Sequence, residues 1–227
     1  MRQGQRRVRC HVRSHMSSLV FLLLPSRFKN FLLRRLGHTV HPRSRVGVIL
    51  VSGGVQISLE AGARIGHFNV FRDLESVSLH SGAVIGQWNW VSAARPLRKL
   101  PDSSPTLSIG MEAALTSRHY LDCSGGVSIG DFSTIAGVRS TFVTHGIDWK
   151  QNRQSVRSIS VGRYCLIGSN ATLCPGASVP DRTIVGMGSV VGTELNEGDA
   201  LWAGARTTRW TNVSSAAYFD RRQGYVE

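Results

Sequence analysis

Residues 161–192 read VGRYCLIGSNATLCPGASVPDRTIVGMGSVVG, and an aliphatic residue stands at every sixth position: Val161, Ile167, Leu173, Val179, Val185 and Val191. A helix repeats every 3.6 residues and a strand every two, so neither element alone accounts for a beat of six. Four residues after each aliphatic comes a small side chain, Cys165, Ala171, Ala177, Thr183 and Ser189, and Gly162, Gly168 and Gly186 recur at the position just after the aliphatic. An inward branched residue, a narrow second slot and a turn that accepts glycine describe one short strand plus one corner. Three such units close a triangular turn of about 18 residues that stacks on the next, as in a parallel β-helix.

The beat runs further back, through Leu59, Ile65, Phe71 and Val77, then Leu79, Ile85 and Val91, then Ile109, Leu115, Leu121 and Val127, then Ile129 and Ile135. Its phase slips by two at Val77-Ser78-Leu79, Leu107-Ser108-Ile109, Val127-Ser128-Ile129 and Ile159-Ser160-Val161. Each slip marks the edge where one coil passes to the next, and about six coils are expected between 57 and 193. An antiparallel sandwich would show period two and paired hairpin turns instead.

The expected organisation is a basic arm and amphipathic helix over 1–45, the β-helix over 46–195 and a tail over 196–227. Two segments interrupt the count, one near 94–106 and one near 140–158, and the slip-to-slip spacing hangs both from the same corner of the triangle, two coils apart. A regular solenoid has no cleft of its own; loops grown at one corner create one.

The net charge of +13 is concentrated at the start of the chain, because residues 1–45 hold eleven Arg and Lys and no acid, the first carboxylate being Glu60. The body is close to balanced, and the arm lacks the interleaved aromatics that stack on bases, so no nucleic-acid partner is expected. Leu19–Leu24 is too short for a secretory apolar region, and no apolar run approaches the roughly 20 residues that span a bilayer. Within PSRFKNFLLRRLG, Phe28, Phe31, Leu32 and Leu36 share one helical face, which would cap the end of the core or, as a basic amphipathic helix, lie on an anionic lipid surface through residues 16–36. Cys10, Cys123, Cys165 and Cys174 form no CxxC pair, which suits packing in a reducing cytoplasm.

The hexapeptide pattern, strongest over 127–193, resembles that of the left-handed parallel β-helix acyltransferases, and ISVGRYCLIGSNATLCPGASVPDRTIVGMGSVVG is similar to the core of the sugar O-acetyltransferases that modify maltose, galactosides and colanic acid. The resemblance implies a left-handed coil, a homotrimer, acetyl-CoA as co-substrate and a sugar or glycan acceptor; the cysteine usage suits the cytoplasm, and the basic helix suggests an acceptor presented at the inner membrane face. It also implies that His145, in Thr144-His145-Gly146-Ile147-Asp148 of the second loop, is the catalytic base. An alcohol is a poor nucleophile at neutral pH, and an imidazole of ordinary pKa near 6.5 can take its proton as the oxygen attacks a thioester.

Asp148, Asp122 or a backbone carbonyl would orient that imidazole. Asp122 also falls next to an acidic acceptor-binding position of the family, and Thr116 stands where the family often carries Asn. His119 and Trp149 are further candidates for the acceptor site, the indole by stacking on a sugar face. On the donor side, matching the family's motifs places Ser169 and Met187 on CoA-contacting positions, with Arg206 and Arg209 for its phosphates.

Two other classes share the scaffold. A zinc enzyme of the γ-carbonic anhydrase kind needs three clustered His ligands, whereas His67, His80, His119 and His145 are scattered, so no metal is expected. A non-catalytic assembly module needs no His-bearing loop.

Overall fold

The computed structural model describes residues 24–148, 153–205, 208–212, 214 and 222. The chain folds as a left-handed parallel β-helix. One face is a seven-stranded parallel sheet built from Thr39–Val40, Gln56–Leu59, Ser76–Leu79, Thr106–Ile109, Val127–Ile129, Ile159–Val161 and Ser178–Val179. The second face runs from Arg45–Val46 to Ile184–Val185 and ends on Ala200–Ala203, against which Thr208–Asn212 folds back antiparallel. The third runs from Ile49–Ser52 to Val190–Val191. We call these the first, second and third faces.

The register confirms the beat. Leu107 pairs with Val127 and Ile109 with Ile129, which pair in turn with Ile159 and Val161. Every aliphatic of the 161–191 series is buried, as is every small residue four places on. Fully burying each branched side chain contributes about 1.5–3 kcal/mol, and the identical rungs repeat that gain along the prism. The corners are equally constrained. A Cβ added to Gly130 would meet the Gly162 carbonyl carbon at 2.6 Å, so backbone of the next rung occupies the space where a side chain would stand.

Two features depart from the sequence expectation. A further turn, Thr39 to Ser52, precedes the six that the periodicity marks, so the coil starts ahead of residue 46. The helix Ser26–Arg35 forms where expected and caps the coil, but of the face expected to pack only Leu32 lies against the core, beside the buried Lys29, Asn30 and Leu33, while Phe28, Phe31 and Leu36 are exposed. The reason lies at the open end of the β-helix, where backbone carbonyls have no further rung to pair with. Asn30 Nδ2 donates to the Ser44 carbonyl at 2.7 Å and an Arg34 guanidinium nitrogen to that of Val40 at 3.1 Å, so the polar edge of the helix caps the prism.

Both interruptions leave the corner between the third and first faces, as expected. The first carries the 3₁₀ turn Arg95–Lys99, held by Arg95 Nε on Asp73 Oδ1 at 2.7 Å and by Arg98 on the Asp73 carbonyl at 2.8 Å. The second is an antiparallel hairpin, His145–Asp148 against Arg153–Val156.

Candidate functional site

Strand Tyr120–Asp122 belongs to the third face. Leu121 points into the core, so Tyr120 and Asp122 point outward, about 7 Å apart along the strand. Asp122 does not reach solvent, because the next coil covers it at the point where Phe142 gives way to the hairpin. Thr144 donates to Asp122 Oδ2 twice, from its backbone N–H at 2.9 Å and its hydroxyl at 2.7 Å. Ser124 donates to Oδ1 from its hydroxyl at 2.6 Å. Thr144 and Ser124 are themselves buried and fixed: Thr144 Oγ1 accepts the Gly125 N–H at 2.9 Å and Ser124 Oγ that of Ala94 at 2.9 Å.

His145 completes the set, with Nδ1 at 2.7 Å from Asp122 Oδ2. Burial alone would push the Asp122 carboxyl up, but the hydrogen bonds from Ser124, His145 and Thr144, with the attraction to His145, outweigh it and hold its pKa below the ordinary Asp value. The carboxylate is therefore ionised at neutral pH and can only accept, so in the neutral imidazole it is Nδ1 that carries the proton and Nε2 the lone pair. That is the tautomer of a general base. With 39% of its side chain exposed, His145 is anchored at one nitrogen and accessible from solvent.

Of the three groups expected to orient His145, the structure brings the Asp122 carboxylate to it. Asp148 ends the same hairpin strand, its backbone paired with Arg153. An open groove of about 490 Å³ lies along this corner, lined by Val156, which pairs with His145, and by Asp102, Ser104, Gly125 and Arg157. Ser124 and Thr144 were not singled out from sequence: Ser124 closes a local turn on the Asp122 carboxylate two residues back, and the spacing of Thr144 from Asp122 means nothing until the next coil is laid on this one. Trp90 and Tyr120 were missed too: they are paired neighbours on the outer surface of the third face, both exposed, two residues along their strands from Ser92 and Asp122.

Thr116 and His119 lie at a different corner, between the second and third faces, so one chain does not bring them to His145. His119 is buried in a column of corner residues in which each side chain accepts the backbone N–H of the next rung. Asn69 Oδ1 accepts from Asn89 at 2.9 Å, Asn89 Oδ1 from His119 at 2.9 Å, and His119 Nδ1 from Ser140 at 3.1 Å. Its Nε2 then carries the proton and donates to Thr116 Oγ1 at 2.9 Å, the Thr hydroxyl reaching the Ile135 and Gly137 carbonyls. His119 thus does the work of an asparagine, and burial lowers its pKa to about 4.

Ser169 and Met187 share that second corner on adjacent rungs, where Ser169 Oγ accepts the Val138 N–H at 3.3 Å and Met187 is 78% exposed. Arg209 lies in the strand paired with Ala200–Ala203, opposite Trp202. Trp149 and Arg206 fall outside the described residues. Cys123 and Cys165 are buried, and burial raises both thiols, Cys165 to about 12, so both are inert packing groups. Among the described residues, no three His, Cys, Asp or Glu side chains are grouped so as to hold a metal ion.

No family model and no curated protein sequence matches the chain. Among solved structures, it is similar to AntD, an N-acyltransferase from Bacillus cereus solved with dTDP-4-amino-4,6-dideoxyglucose and coenzyme A. Identity is 15% over 80% of this chain and 88% of that one, with a TM-score of 0.51. The same enzyme with dTDP and 3-hydroxybutyryl-CoA also superposes at 0.51, over 83% and 90% of the two chains, again at 15% identity. A hexapeptide-repeat acetyltransferase from Vibrio cholerae, VCA0836, matches over 91% and 92% at 17% identity, with a TM-score of 0.46. The fold is common to this chain and AntD.

Proposed function

We propose that the chain is an O-acetyltransferase that moves an acetyl group from acetyl-CoA to a hydroxyl of a sugar or glycan. The observation that carries this reading is the 2.7 Å contact between a buried, ionised Asp122 and a half-exposed His145 on a loop at the one corner where the coil grows outward.

His145 Nε2 accepts the acceptor's hydroxyl proton as that oxygen bonds to the thioester carbonyl carbon. The imidazolium formed is stabilised by the Asp122 carboxylate, which stays ionised because Ser124 and Thr144 already donate to it. On collapse of the tetrahedral adduct the C–S bond breaks, and His145 returns its proton to the departing CoA sulfur. General-base assistance of this kind contributes about 10²- to 10⁴-fold. The fold shared with AntD, solved with CoA and a sugar nucleotide, supports the donor and acceptor classes. Tyr120 and Trp90, exposed beside Asp122, offer the aromatic surface on which a sugar ring stacks.

Ser169, Met187, Arg206 and Arg209 are the proposed contacts to CoA. We further propose a homotrimer, in which the second corner of one subunit approaches the His145 loop of the next and brings the CoA-contacting residues to the base. Asp148 and Trp149 would then edge the acceptor site.

Release of CoA thiol in the presence of a panel of sugars and glycans tests the function. Acceptor-dependent thiol release that vanishes in His145→Ala supports it. A well-folded protein that neither binds nor consumes acetyl-CoA would reject it.

A further inference from the structure

The face that helix Ser26–Arg35 turns away from the coil combines aromatic and cationic side chains. Its exposed side chains are Arg27, Phe28, Phe31 and Arg35, with Leu36 just beyond. The two phenyl rings are 6.2 Å apart, and the Arg35 guanidinium lies 5.1 Å from the Phe31 ring centroid. Aromatic side chains standing among guanidinium groups are the composition of helices that lie in the plane of a lipid headgroup layer, rings toward the acyl chains and cations toward phosphates.

The helix is placed for that role. It packs on the first turn of the prism, so its outer side forms part of an end surface, and Arg43 and Arg45 of that turn are exposed as well. No carboxylate precedes Glu60 in the chain, so nothing on the helix or the first turn offsets these charges. A second copy of the chain docked here by a two-fold would bring like charges together across the contact. An anionic bilayer matches both the charge and the apolar sector.

We propose that this end of the β-helix binds anionic membrane surfaces peripherally, through Phe28, Phe31 and the flanking arginines. The packing described above explains why the apolar sector is free: the helix docks through Asn30, Leu33 and Arg34 and needs no phenyl ring to do so.

The test is co-sedimentation of the full chain with vesicles of phosphatidylcholine alone and of phosphatidylcholine with 30% phosphatidylglycerol, at about 0.1 M salt. The wild type pellets with the anionic vesicles and stays in solution with the neutral ones. Phe28→Ser combined with Phe31→Ser lowers the partition about tenfold or more, and so does Arg27→Gln with Arg35→Gln; both keep the wild-type melting temperature. Failure of the wild type to pellet with anionic vesicles would overturn the proposal. Equal pelleting of wild type and the Phe variant would do so too, since the binding would then lie elsewhere in the basic arm. A smaller assembly for the Phe variant by light scattering would assign the face to a second copy instead. None of these readouts depends on acetyl transfer.

Discussion

Asp122 and His145 belong to successive turns of the coil, yet their side chains meet at 2.7 Å because the chain leaves the third face just past Phe142, which pairs with Leu121, and folds Thr144 and His145 onto the carboxylate. The contact fixes the tautomer of His145 without covering the ring. It depends on two further residues, Ser124 and Thr144, which keep the carboxylate charged in a place where burial alone would neutralise it.

Asp122→Asn removes the charge while keeping the shape. The amide oxygen can accept but no longer stabilises an imidazolium, so turnover is expected to fall about a hundredfold or more, with KM for the acyl donor little changed. Steady-state kinetics checks this split.

Ser124→Ala acts on the same carboxylate from the other side. Losing the strongest of its pKa-lowering hydrogen bonds raises the Asp122 pKa toward the ordinary range. The titration of Asp122, followed through the 13C shift of its carboxyl carbon, therefore moves to higher pH, while the rate at neutral pH changes less than in Asp122→Asn. A carboxyl titration that does not move would contradict this account of the carboxylate.

His119 predicts a stability effect. Its folded pKa of about 4 lies below the unfolded value near 6.5, so the unfolded chain binds more protons between those limits. The stability that neutral His119 gives is complete above pH 6.5 and is lost as pH falls toward 4, by on the order of 3 kcal/mol. Denaturant midpoints measured across that window should drop in the wild type and drop less in His119→Asn, because asparagine already fills the equivalent places at 69 and 89.

The narrow slot of each rung is tested by Ala171→Leu. Ala171 is fully buried, and its carbonyl accepts the Thr141 N–H of the neighbouring rung at 2.8 Å, so the added atoms have no room; about 1–3 kcal/mol of destabilisation is expected, read as a lower melting temperature.

The fold was legible because a β-helix writes its geometry into the chain: Val161 to Val191 and the small residues between them mark each rung, and Leu107-Ser108-Ile109 marks an edge. The first turn was less legible, since Thr39–Ser52 sets aliphatics on the open edge, where pairing demands differ. The orientation of the helix was legible only as two alternatives, its apolar face on the core or turned outward. Hydrophobic periodicity assumes that apolar faces seek the core, whereas here unpaired carbonyls at the prism's end selected Asn30 and Arg34 instead. His145 and Asp122 could be placed at one corner by counting rungs. Their partners Ser124 and Thr144, and the asparagine-like duty of His119, depend on side-chain directions that a spacing argument does not supply.

The most direct measurement is single-turnover acetyl transfer by wild type and His145→Ala, with folding of both verified by circular dichroism and melting. Loss of at least a hundredfold in the chemical step, with acetyl-CoA still bound, is the predicted result. Equal rates of transfer from the two proteins would contradict it.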